Sequence, residues 1–226
     1  MTAFELLTET CVGLVLQHMP GTRRPLNALS PWYVLLEISD TQDENHATQV
    51  MESLLETAME DELVSDAVLS TSLAQFESLW AIRENISESQ AAEGKNIKHD
   101  ISLPISRIPQ FIVETDAAIA RKFHGVRMVV FGHLGDGNLH YNVSPAPDRC
   151  GPEHVADFVA LEPALNKLVH DAVASHAGSI SAEHGLGVLR RDESARYKTA
   201  LELKLMRALK NALDPHGLMN PGKLIG

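Results

Sequence analysis

Cysteines, basic residues and long apolar runs are scarce in this 226-residue sequence. Its two cysteines, Cys11 and Cys150, lie far apart, which excludes a disulfide framework and a CxxC metal site and favours a reducing cytoplasm as the location. The formal net charge of -11 argues against nucleic acid and anionic membranes as partners, because both would repel the surface. The apolar run over residues 11–16 is too short for a signal peptide or a membrane span, so we expect an amphipathic helix at the N-terminus.

Apolar residues make up 44% of the chain, which is sufficient for a substantial core, and no linker or low-complexity segment divides it. We therefore expect one domain over residues 1–226. Apolar periodicity and turn residues predict strands at 32–39, 67–72, 97–104, 126–133 and 138–145, helices at 43–60, 73–90, 104–123, 153–176 and 193–213, and an ordered tail at 214–226. This order predicts an α+β fold of ferredoxin-like type, in which helices pack on an antiparallel sheet.

Two histidines flank a glycine-rich turn in FGHLGDGNLHYNV, residues 131–143. A two-residue turn at Asp136 and Gly137 would place His133 directly opposite His140 and Phe131 opposite Asn142, so that Asn142 shares the histidine face. Opposed residues have Cβ atoms about 4.5–5.5 Å apart, which is close enough for two imidazoles to hold one metal ion. Structural or solvent-facing histidines explain the same pattern, and both interpretations remain open.

A third metal ligand is available in SAEHGLG, residues 181–187, where an acid and an imidazole precede two glycines. Neighbouring residues of a regular strand point to opposite faces, so we assign Glu183 to the metal and leave His184 as a general base. The alternative is an exposed Glu-His pair in a turn.

A cationic side chain falls inside the apolar arc of the predicted helix 73–90. Arg83 must find an anion if it is buried there, either an internal carboxylate or the carboxylate of a substrate. Ser87, four residues later, lies on the same stripe, and Lys98 is a further basic residue near the start of the third strand. A solvated Lys98 is the simpler interpretation of that lysine.

The motifs LWAIRENIS, KHDISLP, FGHLGDGNLHYNV, SAEHGLG and DPHGLMNPGK, in this order, resemble the C-terminal half of FAD-linked oxidases of the vanillyl-alcohol oxidase type. Within that family the D-2-hydroxyglutarate dehydrogenase subgroup is most similar, with D-lactate and glycolate dehydrogenases as relatives. The resemblance covers roughly residues 30–226. It implies the substrate or cap domain of the family.

The resemblance also implies roles for individual residues. His133, His140 and Glu183 match ligands of a divalent metal, usually zinc, and His184 matches the catalytic base. The substrate contacts correspond to Arg83, Ser87, Lys98 and Asn142, although part of the subgroup has Thr where this chain has Ser87. Lys223, in the NPGK tail, would lie on the flavin side.

The implied reaction is oxidation of a small D-2-hydroxy acid to the 2-oxo acid, with hydride transfer to FAD and onward transfer to an unknown electron acceptor. No glycine-rich pyrophosphate cradle occurs in residues 1–100, so the FAD-binding domain is an expected partner and the isolated chain should be inactive. A second copy of the chain, as a homodimer, is a further candidate partner. Two alternatives remain, a stand-alone zinc hydrolase and a non-catalytic interaction domain.

Overall fold

The computed structural model describes residues 1–225 and is built around one five-stranded sheet. The strands are β1 (Ala3–Thr8), β2 (Trp32–Glu37), β3 (Asp100–Ser102), β4 (Val126–His133) and β5 (Asn138–Pro145). The helices of the described residues are α1 (Glu9–His18), α2 (Glu44–Glu60), α3 (Leu73–Glu84), α4 (Ile86–Glu93), α5 (Ile108–Lys122), α6 (Val155–Ala160), α7 (Glu162–Ser175), α8 (Arg191–Tyr197) and α9 (Ala200–Leu213).

The sheet has the strand order β2-β1-β4-β5-β3, and every paired neighbour is antiparallel. The predicted α+β class with an antiparallel sheet is confirmed. None of the helices in residues 1–225 has the length and apolar character needed to cross a bilayer.

Alternate side chains of each strand point to opposite faces of the sheet, and a different set of helices packs on each face. One face of the sheet packs with α5 and α7, where Leu139, Tyr141 and Val143 of β5 are fully buried. The other face packs with α1, α3 and α4 through Leu7, Val129 and Phe131. On β5 this second face is polar throughout, with buried side chains at Asn138, His140, Asn142 and Ser144. Buried polar side chains need hydrogen-bonding partners, so this face is a candidate location for a functional site.

The β4–β5 hairpin has a longer connection than the sequence suggested. A 3-10 turn over Leu134–Asp136 and a left-handed Gly137 (φ 71°) join the strands, and Phe131 rather than His133 pairs with His140. The predicted direct opposition of His133 and His140 is therefore wrong, as is that of Phe131 and Asn142, because Asn142 pairs with Val129. The register differs by two residues, so the predicted sharing of one face survives.

Other departures from the predicted elements also have local causes. The N-terminal segment, expected to be helical, forms strand β1 before helix α1. The predicted helix 73–90 is broken at Asn85, whose side chain donates a hydrogen bond to the carbonyl of Ala81 at 2.8 Å. Residues 67–72 form no strand; residues 67–70 line an apolar groove of about 480 Å³ against β2. The helices predicted at 153–176 and 193–213 are each two helices, and the predicted ordered tail extends to Gly226, which lies outside the described residues.

Candidate functional site

A polar cavity of about 340 Å³ opens over the second face of the sheet, where β3, β4 and β5 meet α3 and α4. Its lining consists of Trp80, Arg83, Glu84, Ser87, Lys98, His99, Asp100, Phe131, His133, His140, Asn142, Glu183 and His184. Eight of the nine predicted site residues are in this list. The fold thus brings together segments that lie up to about one hundred residues apart in the chain.

Two carboxylates and two imidazoles converge at one end of the cavity. Ligand atoms of Asp100, His140, Glu183 and His184 all lie within 4.8 Å of one another. His140 Nε2 is 3.2 Å and His184 Nε2 is 3.6 Å from Glu183 Oε1. These atoms form a donor set of the type that divalent transition metals such as zinc prefer.

Asp100 is the member of this cluster that the sequence interpretation missed. Its Oδ2 accepts hydrogen bonds from the backbone N–H groups of Ala182 (3.3 Å), Glu183 (3.0 Å) and His184 (2.8 Å). Its Oδ1 is buried without a hydrogen-bond partner among the described residues and lies 3.8 Å from His140 Nδ1. A buried carboxylate oxygen without a donor is the kind of atom that a metal ion would satisfy. The signal available in the sequence was an acid inside the strand segment KHDISLP.

A second missed acid lies beneath the cavity wall. Glu5 of β1 has a side chain only 3% exposed and contacts two predicted site residues. Its Oε1 is 2.6 Å from His133 Nδ1, and its Oε2 accepts from Arg83 Nε at 2.7 Å. Arg83 is therefore buried against an internal carboxylate, and its guanidinium carbon lies 4.9 Å from the centre of the Phe131 ring. The Nη atoms of Arg83 make no hydrogen bond with any described residue.

The remaining predicted residues differ in how much freedom they have. Asn142 is buried, with its carbonyl oxygen accepting from the backbone N–H of His99 (3.2 Å) and its amide donating to Gln90 (2.9 Å). Lys98 and Ser87 are exposed at the cavity mouth. Lys223 is exposed in the C-terminal turns and does not line the cavity.

The four-residue cluster does not include His133, although this histidine lines the same cavity. His140 and His99 are two histidines of the cavity whose pKa values are lowered by burial. Burial lowers the pKa of His140 below its ordinary value, and it lowers the pKa of His99 to about 3. His140 therefore presents a neutral imidazole at neutral pH, the form in which histidine binds metals.

Comparisons with known proteins show the family of the chain. Residues 1–224 match the family of FAD linked oxidases, C-terminal domain. A D-2-hydroxyglutarate dehydrogenase of Xanthomonas citri is 40% identical over 99% of this chain, and one of Stutzerimonas stutzeri is 36% identical over 99% of it. A mitochondrial D-2-hydroxyglutarate dehydrogenase of Arabidopsis thaliana is 35% identical over the whole chain.

The chain spans 46%, 47% and 38% of the lengths of these three relatives, respectively. The matched family extends to residue 1, so the resemblance expected from residue 30 onward covers β1 as well. These comparisons do not favour a stand-alone zinc hydrolase or a non-catalytic interaction domain. The chain belongs to the FAD-linked oxidase family, of which it is a C-terminal domain.

Proposed function

We propose that this chain forms the hydroxy-acid side of the active site in an FAD-dependent D-2-hydroxy-acid dehydrogenase that acts on a substrate like D-2-hydroxyglutarate. The observation that carries the proposal is the single cavity in which cationic side chains stand beside a cluster of imidazoles and carboxylates. Arg83 and Lys98 supply two cationic side chains to this cavity on a chain with a net charge of -11, and each could pair with a carboxylate of an anionic substrate.

Substrate carboxylates would bind to the cationic side chains of the cavity. The Nη atoms of Arg83 offer paired donors in a fixed plane, which suits a bidentate contact with a carboxylate. Lys98, exposed at the mouth, would contact the carboxylate farther from the reacting carbon. Ser87 and Asn142 would contribute polar contacts, with Asn142 held in one orientation by its own hydrogen bonds.

A divalent metal, zinc in our proposal, would bind in the same cavity beside the cluster of imidazoles and carboxylates. We propose His133, His140 and Glu183 as ligands, with Asp100 as an added candidate because its Oδ1 is buried and accepts no hydrogen bond from any described residue. When bound, such a metal lowers the pKa of a coordinated hydroxyl. His184, 63% exposed and 3.6 Å from Glu183, would remove the hydroxyl proton as a general base.

FAD, which the family implies, would accept the hydride. The cavity lining consists mostly of charged side chains and imidazoles and contains no glycine, so it does not resemble the glycine-rich turn that cradles a pyrophosphate. Lys223 lies apart from the cavity, and its proposed flavin contact would need the FAD-binding domain. The contribution of this chain is to bind the hydroxy acid, orient it and move its proton.

Turnover tests the proposed function directly. The chain joined to an FAD-binding domain is assayed with D-2-hydroxyglutarate, D-lactate and glycolate and a dye as electron acceptor, beside the isolated chain. We expect turnover of D-2-hydroxyglutarate only in the joined protein. Failure of all three substrates while flavin is bound would contradict the assignment.

The distal-carboxylate role of Lys98 separates D-2-hydroxyglutarate from D-lactate, which has no second carboxylate. Loss of a charge-assisted hydrogen bond costs about 1.5–3 kcal/mol, so Lys98→Met should lower kcat/KM for D-2-hydroxyglutarate about 10- to 100-fold. The value for D-lactate should stay near that of the wild type. Lys95→Met is the matched control, because Lys95 is exposed but does not line the cavity.

His184 is also within the four-residue cluster, so the amount of bound zinc can distinguish a general base from a metal ligand at this position. If His184 is the base, His184→Gln should keep stoichiometric zinc and lose turnover. If His184 is instead a ligand, zinc is lost together with activity. His140→Gln should lose zinc in either case.

Partners and location are part of the same proposal. An FAD-binding domain is the proposed partner, and a second copy of the chain, in a homodimer, is a further proposed partner. A cytoplasmic location stays a prediction from cysteine content. The Arabidopsis thaliana relative has mitochondrial in its name.

A further inference from the structure

The buried acid Glu5 joins three elements at the wall of the cavity. Glu5 lies on β1 directly beside His133 of β4 in the sheet register, and its side chain also reaches Arg83 of α3. Its side chain is 3% exposed, so it has almost no water to satisfy its charge. Both of its oxygens are used by residues that line the cavity, whereas Glu5 does not line it.

The chemistry of the two partners fixes which atoms carry protons. Arg83 Nε always donates, and a carboxylate oxygen can only accept. His133 Nδ1 must therefore carry a proton to bond Glu5 Oε1 at 2.6 Å. In the neutral ring this leaves Nε2 of His133 with its lone pair free for the cavity.

The same contacts leave the outer ends of both side chains available. Glu5 bonds Nε of Arg83, so the two Nη atoms remain for an anion. Carboxylates that hold the far nitrogen of a metal-binding histidine are common in metal sites, where they fix the ring orientation and its tautomer.

We propose that Glu5 is a positioning residue that holds His133 in its Nδ1–H tautomer and aims the guanidinium of Arg83, so that His133 presents a metal-binding nitrogen and Arg83 an anion-binding edge. The inference rests on the proposed function, because it assigns those tasks to His133 and Arg83. Glu5 would touch neither substrate nor metal.

Replacement of the carboxylate by an amide is the sharpest perturbation. In Glu5→Gln one oxygen can accept from Arg83 Nε, and the amide NH₂ must then face His133 Nδ1. Two donors cannot share a hydrogen bond, so the proton of His133 should move to Nε2, where it blocks metal binding. Loss of a carboxylate that hydrogen-bonds a metal ligand typically weakens metal binding about 10- to 100-fold.

The matched control is Glu9→Gln. Glu9 also binds an arginine, with Arg24 Nη2 at 2.6 Å, but it lies outside the cavity. This variant makes the same chemical change near the same end of the chain. It should leave both the His133 tautomer and zinc affinity unchanged.

The experiment combines long-range ¹H–¹⁵N spectra of the histidine side chains at a pH of about 9, where imidazoles are ordinarily neutral, with zinc titration against a chromophoric chelator. His133 is assigned by its absence in His133→Gln. We expect an Nδ1–H tautomer in the wild type, an Nε2–H tautomer and 10- to 100-fold weaker zinc binding in Glu5→Gln, and wild-type behaviour in Glu9→Gln.

Several results would overturn the role of Glu5. A wild-type spectrum with the proton on Nε2 does so without any variant, which matters if Glu5→Gln fails to fold. An unchanged tautomer together with unchanged zinc affinity in a folded Glu5→Gln does so as well. A wild-type chain that binds no zinc would contradict the proposed metal site instead, and the tautomer would still decide the role of Glu5.

Discussion

At the scale of single residues, two acids absent from the sequence interpretation organise the site. Asp100 holds the backbone of residues 182–184, which carries Glu183 and His184, and Glu5 holds His133 and Arg83. Neither acid belongs to a spacing pattern, because each contacts residues that lie far away in the chain. Their roles follow from hydrogen-bond geometry, which a single sequence does not contain.

Removal of the Asp100 carboxylate should release this loop. Hydrogen bonds to charged groups contribute about 1.5–3 kcal/mol, so Asp100→Ala should lower the free energy of unfolding by about 2–3 kcal/mol. Asp100→Asn keeps an accepting oxygen and should lose less. Urea denaturation measures both, and amide hydrogen exchange should show faster exchange at residues 183 and 184 in Asp100→Ala.

The control for this prediction is Asp148→Ala, at an exposed surface turn. It should leave exchange in the loop unchanged. Equal protection of residues 183 and 184 in the wild type and in Asp100→Ala would show that the loop is held by other contacts.

The buried histidine His99 predicts a pH dependence of stability. Its pKa of about 3 in the folded chain lies below the unfolded value of about 6.5, mainly because of burial. The stabilising effect of keeping His99 neutral is complete above pH 6.5. It is lost as the pH falls, because the unfolded chain then binds a proton that the folded chain does not, at about 1.4 kcal/mol per pH unit.

Urea unfolding at a series of pH values with a chelator present measures this slope. His99→Asn removes the titration and keeps an N–H that can replace Nδ1, which contacts the carbonyl of Tyr141 at 2.8 Å. The variant should be less stable at pH 7 but have a shallower slope between pH 6 and 5. An unchanged slope would mean that His99 is not the group responsible.

At the scale of elements, the sequence predicted best where the pattern and the local turn agreed. Strands β4 and β5 were predicted with their observed bounds, because alternating residues and the turn signal coincide. Strand β1 was taken for part of a helix, since its six residues run directly into the helical periodicity of α1. The break between α8 and α9 had a readable signal in the capping box of Thr199 and Glu202.

The hairpin register illustrates what the sequence leaves open. Both a two-residue turn and the observed longer connection suit the GDG stretch, and they differ by two residues in pairing. A shift of two residues in the strand register keeps each side chain on the same face of the sheet but changes the residue that it pairs with. The gathering of site residues into one cavity could therefore be expected from alternation, whereas their individual contacts could not.

Close approach of the two hairpin strands predicts a strict requirement for glycine at position 132. A Cβ at Gly132 would clash with the carbonyl oxygen of Asn138 and lie 3.0 Å from the Cα of Leu139. Overpacking of this kind typically costs about 1–3 kcal/mol, so Gly132→Ala should lower the free energy of unfolding by that amount. It should also displace His133 and His140 and weaken metal binding.

The matched control is Gly13→Ala within α1, where an added Cβ meets no atom within 4 Å. Alanine is the better helix former, so this variant should be more stable by about 0.5–1 kcal/mol. Equal effects of the two substitutions in thermal or urea unfolding would contradict the steric argument.

At the scale of the whole molecule, the proposed metal would link segments that lie far apart in the sequence. Its candidate ligands come from β3, β4, β5 and the loop before α8. A ligand that binds only the folded state stabilises it by mass action, by about 2.7 kcal/mol when its free concentration is 100 times Kd. Zinc should therefore raise the Tm of the whole chain, and a chelator should reverse the effect.

Variants locate the origin of this shift in Tm. His140→Gln or Glu183→Gln should abolish it, because each removes a proposed ligand. His46→Gln is the control, since His46 also contacts an acid, Asp40 at 2.7 Å, but lies on the exposed start of α2. If the zinc-induced rise in Tm survives in His140→Gln and disappears in His46→Gln, the metal binds outside the cavity. The cluster of imidazoles and carboxylates is then held together by its own ion pairs and by the contacts of Asp100 with the backbone of residues 182–184.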